Sequence, residues 1–298
     1  MLSGIILPGW RGSRAASIRT IYVPDPPEIG IMPSYDFRAP RLFVDAPLVS
    51  GARIALDRGQ SNYLGNVLRL SQGAPILLFN GRDGEWQARL CGHKRPEALE
   101  VEAQTREQDR ANDLVYVFAP LKHARLDYMV QKAVEMGASK LQPVLTRFTQ
   151  VSRVNQERMR ANVIEAAEQC GIITLADVAA PLPLSAFLKD RAPGRILVFC
   201  DEEAGVADPA ATLRQARSLQ NSSLQDDSHQ AAAAGRGIDV LIGPEGGFAG
   251  DERALLLAQS HVLRLTLGPR ILRADTAAVA ALALVQTLLG DWSPPAEC

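Results

Sequence analysis

From Leu114 onward the chain alternates short runs of large apolar residues with segments whose apolar residues recur every three or four positions. The runs at 114–118, 141–145, 195–200, 238–242 and 262–267 are too short for helices and predominantly apolar, the pattern of strands buried on both faces. Between the first two, Leu126, Met129, Val130, Ala133 and Val134 fall on one helical face, and Gly137 is placed to end that helix. Asn155 can cap a helix carrying Met159, Val163 and Ala167 and closing at Gly171. A last helix is expected over 276–289. Strands alternating with helices predict a parallel α/β sheet.

The region before it has a different period. Strands are expected at 41–44, 75–79 and 85–90, with Asn80-Gly81 and Asp83-Gly84 marking a hairpin between the last two. Residues 99–103 alternate as a half-buried strand does, and only 62–70 looks helical, with Leu64, Val67 and Leu68 on one side. This predicts a small β-barrel or sandwich over 40–108, divided by the polar 109–113 (DRAND) from an α/β domain over 112–291. Residues 1–39 stand apart: Arg11, Arg14 and Arg19 precede the first acid, Asp25, and four prolines fall at 24, 26, 27 and 33. A targeting peptide and an extension translated from upstream of Met32 both fit, and the extension is the preferred reading. Residues 218–235 are low in complexity and poor in large apolar groups, and are expected to form a mobile loop.

Composition excludes several classes. No run approaches the 18 or so apolar residues of a membrane helix. The four cysteines form no C-x-x-C pair, and Cys91-Gly92-His93 lacks a second half, so no metal site is expected. Sparse cysteines suit a reducing, cytoplasmic setting.

Two segments carry the chemistry. LIGPEGGF (241–248) leaves one apolar run and LGPRILR (267–273) leaves the next, each ahead of a helix. In open α/β sheets ligands gather beyond the carboxyl ends of the strands. Gly- and Pro-rich turns there bring backbone groups close to a flat ligand, with Leu267, Ile271 and Leu272 as apolar walls. Neither loop contains the glycine pattern of a dinucleotide or triphosphate site.

These two motifs, with a D-T-A after the second, resemble the C-terminal signature of the RsmE family, the 16S ribosomal RNA uridine-N3 methyltransferases of the SPOUT or α/β-knot superfamily. Gln131 to Gly137 resembles that family's Q-K-x-x-E-L-G, and Glu168-Gln169-Cys170-Gly171 its E-Q-C-G. Asp275 stands where the family usually has Glu, and Ile172 where it often has Arg. The resemblance implies a trefoil-knotted SPOUT domain preceded by a PUA-like β-barrel that binds RNA, acting as a homodimer on 16S rRNA in the 30S subunit. It implies S-adenosylmethionine as cofactor, held by Ile242, Gly243, Glu245, Gly247, Leu267, Gly268, Ile271 and Leu272. Uridine N3 must lose a proton before it attacks a methyl, so a nearby cation is needed: Arg273 is preferred over Arg270, with Glu245 a candidate proton acceptor. Between 117 and 160 there are eight Lys or Arg against three acids, 8 − 3 = +5 in a chain of net charge −1. Within that stretch Lys122, Arg125 and Lys132, joined by Arg270, are the expected RNA contacts, the first and second in the loop after a strand. The cofactor loops do not set the substrate; another RNA base, transfer RNA, or an inactive RNA-binding assembly factor also accommodates them.

Overall fold

The computed structural model describes residues 39–92, 95–151, 153–205, 208–222 and 237–292. The expected extension at 1–38 and most of the expected loop, 223–235, lie outside the described residues.

The N-terminal domain comprises β1 (Arg41–Phe43), β2 (Arg53–Ala55), a short α1 (Arg58–Asn62) running into a π-helical turn (Tyr63–Val67), β3 (Pro75–Phe79), β4 (Glu85–Cys91) and β5 (Ala98–Arg106). Strand order is β1-β3-β4-β5-β2, with β1 parallel to β3 and the other pairs antiparallel. The β3–β4 connection works as its sequence requires. Asn80 Oδ1 accepts the backbone N–H of Arg82 (3.0 Å) and Asp83 (2.9 Å), while Gly81 and Gly84 take φ of +83° and +79°. The core is Leu42, Ile54, Leu64, Ile76, Leu78, Leu90 and Leu99. Strand β2 has only Ile54 buried, too few residues to show an alternation.

The second domain is one parallel sheet with helices on both faces. Its elements are β6 (Leu114–Phe118), α2 (His123–Glu135), β7 (Lys140–Leu145), α3 (Gln156–Cys170), β8 (Asp177–Val178), β9 (Leu182–Pro183), α4 (Leu184–Asp190) and β10 (Ile196–Cys200). After these come α5 (Pro209–Ser222), β11 (Ile238–Ile242), α6 (Gly250–Leu257), β12 (Val262–Leu265) and α7 (Ala274–Leu288). Strand order is β12-β10-β11-β6-β7-β8, with β9 also beside β7. Helix α5 extends five residues into the segment expected as loop. Met129 and Val130 of α2, Val163 of α3 and Leu282 of α7 cover one face of the sheet, Leu184 and Leu188 of α4 and Leu256 of α6 the other. Each such side chain withdrawn from water contributes about 1.5–3 kcal/mol. As expected, Asn155 caps α3, its side chain accepting the Arg158 N–H (3.0 Å), and Gly171 ends it with φ +71°. No described helix is long and apolar enough to cross a membrane.

The E-Q-C-G segment at the end of α3 is where the two domains join. Buried Arg41 donates to Glu85 Oε2 (2.9 Å) and to the carbonyls of Ala167, Glu168 (3.3 Å) and Ile172 (3.1 Å), and its guanidinium lies over the Phe79 ring. It thereby satisfies carbonyls that the last turn of a helix leaves open. Glu168 Oε1 accepts the Phe43 N–H (2.9 Å), and burial pushes that carboxyl above its ordinary range. Ile172 packs into a small apolar cluster with Phe79, Ala167 and Ile173.

Candidate active site

Beyond the carboxyl ends of β10, β11 and β12 lies a cavity of about 440 Å³, within the ordinary range for a small-molecule site. The structure brings every expected cofactor residue to it. Ile242, Gly243, Glu245 and Gly247 come from the turn after β11; Leu267, Gly268, Ile271 and Leu272 come from the loop after β12. Arg270 and Arg273 are on its rim, both exposed, with Arg273 as the N-cap residue of α7.

The two turns are not neighbours in the sheet, as their sequence order suggested. β10 lies between β11 and β12, so its exit loop forms a third wall, made by Cys200, Asp201, Glu202 and Glu203. Asp201 holds this wall. Its Oδ2 accepts from Arg253 Nη2 of α6 (2.8 Å) and Arg264 Nε of β12 (2.8 Å), and its Oδ1 from the Glu203 N–H (3.1 Å). One buried carboxylate therefore ties together all three cavity-forming segments. The acidic triplet 201–203 directly after an apolar run was the available signal, visible once that run is placed between the other two. Cys200 is at the cavity floor, where burial, with a smaller push from the Asp201 charge, raises its thiol pKa to about 12.

The glycines shape the walls. A Cβ on Gly243 would lie 2.6 Å from the Phe248 ring, and one on Gly247, at φ +71°, would lie 3.2 Å from Glu202 Oε1. Gly268 takes φ +98° with open space beside it, so its need for glycine is conformational. Ile271 is 90% exposed at the cavity edge, a large apolar side chain in contact with water unless a ligand or partner covers it.

Two expectations about the basic residues need correction. Lys122 and Arg125 are not in a free loop: Lys122 is the N-cap of α2 and Arg125 lies in its first turn, because four residues, 119–122, separate β6 from the helix. The charge excess is also smaller in space than in sequence. Arg125 faces Glu245 at 3.7 Å, Arg147 faces Asp251 at 3.7 Å, and Arg158 is bidentate on Asp127. Lys132 is held by Glu135 at 2.7 Å and lies against the Tyr128 ring, away from the strand ends and in the last turn of α2. Asp275 is not among the cavity residues; it accepts the Thr276 N–H at the start of α7 (2.9 Å), where the helix dipole favours a carboxylate.

Comparison with known proteins agrees with this geometry. The RNA methyltransferase domain family matches residues 108–286, and the RNA methyltransferase PUA domain family residues 56–95. A ribosomal RNA small subunit methyltransferase E of Rickettsia conorii is 30% identical over 250 residues, covering 83% of this chain and 95% of the relative. The chain belongs to the ribosomal RNA small subunit methyltransferase E family. Among solved structures, the family member from Neisseria gonorrhoeae, bound to S-adenosyl methionine, superposes with a TM-score of 0.69 at 26% identity, over 86% of this chain and 100% of that one. A Legionella pneumophila protein in complex with the same cofactor gives 0.67 at 25% identity, over 84% and 97%. The expected parallel α/β domain behind a smaller PUA domain is thus what the chain has.

Proposed function

We propose that this protein transfers the methyl group of S-adenosylmethionine to N3 of a uridine in 16S ribosomal RNA, within the small ribosomal subunit, as a cytoplasmic homodimer. The observation that carries the reading is the cavity at the strand ends, walled by glycine turns and rimmed by two exposed arginines, in a chain of this family.

The residues present suit the cofactor. Glycine at 243, 247 and 268 lets a flat ring approach the backbone closely, and Leu267, Ile271 and Leu272 offer apolar contact. When bound, S-adenosylmethionine supplies an electrophilic methyl on a sulfonium. The protein's task is to hold nucleophile and methyl in line. Asp201 keeps the three walls in register for that purpose. Arg273, on the rim and at the positive end of α7, is positioned to stabilise the charge that spreads over N3, O2 and O4 once the uridine proton leaves. Glu245 is the carboxylate on the glycine turn that can receive that proton, with Arg125 beside it at 3.7 Å. Arg270 and Lys122 extend a cationic rim for the phosphate backbone.

The test is transfer of labelled methyl to small ribosomal subunits that lack the modification, followed by reverse transcription. A methyl on N3 blocks the Watson–Crick edge, so a single new stop at a uridine is expected. Incorporation without a stop assigns the methyl elsewhere, and no incorporation with tight cofactor binding removes the substrate.

A further inference from the structure

Phe148 is unexplained by anything above. It belongs to the turn leaving β7 and is 46% exposed, although its neighbours are polar: Arg147, Thr149 and Gln150. The turn is firmly built. The Thr149 N–H donates to the Thr146 carbonyl (3.1 Å), and the Thr146 N–H donates to Thr149 Oγ1 (2.9 Å). The Arg147 N–H donates to Glu252 Oε1 (2.8 Å), fastening the turn to the first turn of α6. The turn is therefore fixed in place, with Phe148 partly in water upon it. Its position is specific: a Cβ on Gly246, which lines the cavity, would be 3.3 Å from Phe148 Cβ and 3.6 Å from Cγ.

The surroundings say what kind of surface should meet this ring. Two arginines flank it: Arg147, the preceding residue, opposite Asp251, and Arg125 opposite Glu245, the neighbour of Gly246, both at 3.7 Å and both with exposed partners. Ion pairs of that kind are worth little and are easily exchanged for phosphate contacts. An aromatic face between loosely held cations matches an unpaired nucleotide, which offers a flat base and an anionic backbone together. An apolar protein partner would instead call for further apolar residues around the ring.

We propose that Phe148 is a stacking platform for an unpaired base of the RNA substrate, a positioning residue that holds the strand at the mouth of the methyl-transfer cleft. The inference rests on the functional reading above. In the full-length protein, Phe148→Ala should raise KM for small subunits roughly 10-fold, as loss of one stacked base does, while kcat and S-adenosylmethionine affinity hold. Phe148→Trp should restore most of the lost affinity, and its added indole emission, taken as the difference from the parent protein, should be quenched by oligouridine and not by the cofactor alone. Unchanged KM in the alanine variant overturns the proposal. So does quenching by the cofactor alone, which would assign the ring to that ligand, or a loss of dimer mass in light scattering, which would assign it to a second copy. If the parent protein itself methylates no ribosomal RNA, the functional reading fails, whereas the oligouridine titration still reads the stacking directly.

Discussion

At the amino ends of β10 and β11, Asp239 lies between Arg195 (2.8 Å) and Arg191 (3.8 Å), with its side chain only 2% exposed. Arg195 also reaches Asp113 at 2.6 Å, and burial pushes the Asp239 carboxyl up and Arg191 down against their mutual attraction. At the carboxyl ends of the same sheet, Arg125–Glu245 and Arg147–Asp251 stand wider apart in water, and Asp201 is buried while its partners Arg253 and Arg264 stay in contact with solvent. The same residue types thus do two jobs. Removed from solvent they lock strand ends into register, and left in solvent they stay free to change partners.

That contrast can be broken at either end. The largest effect should come from Asp239→Ala, which takes the shared carboxylate from buried Arg191 and from Arg195, the latter keeping Asp113; removing one partner of such a buried pair costs about 3–5 kcal/mol, read as a fall in the denaturant midpoint. A loss under about 1 kcal/mol would mean that the cluster is solvated and the contrast false. Next, Asp201→Ala should weaken S-adenosylmethionine binding by calorimetry, roughly 10-fold for the loss of one charge-assisted anchor of about 1.5–3 kcal/mol, because the three walls lose their common tie. Gly268→Ala should cost about 1–2 kcal/mol through its left-handed backbone, and should show it in cofactor affinity more than in melting temperature. Arg125→Ala should leave stability nearly untouched, lower RNA affinity a few-fold and flatten the salt dependence by about one unit of slope; an unchanged slope removes Arg125 from the RNA surface. The smallest signal concerns Cys200, whose thiol is pushed to about 12 by burial. At pH 8 it should lag far behind exposed Cys170 in alkylation followed by peptide mass mapping.

How much of this was legible beforehand depended on whether a signal was local. The buried strands, the Asn155 cap, the Gly171 stop and the Asn80 turn each follow from a few adjacent residues, and the structure has them. The two turns that line the cavity were legible for the same reason, being Gly- and Pro-rich and directly after apolar runs. Strand order was not. That β10 inserts between β11 and β12 is settled by packing over sixty residues of chain, so the wall built on Asp201 went unseen. The basic stretch misled in the opposite direction, since Glu245 and Asp251, which offset Arg125 and Arg147, lie about a hundred residues away. Phe148 had no signal at all, because an aromatic after a strand is ordinarily core.

Arg41 has one more consequence. A domain that grips RNA could hang from the enzyme on a tether, sampling many distances, yet here a guanidinium threaded into the last turn of α3 fixes it in place. A fixed elbow works as a ruler. Under the proposed function, a uridine would be chosen partly by how far it sits from the RNA element held at the other end, which allows one nucleotide to be selected among many of identical chemistry.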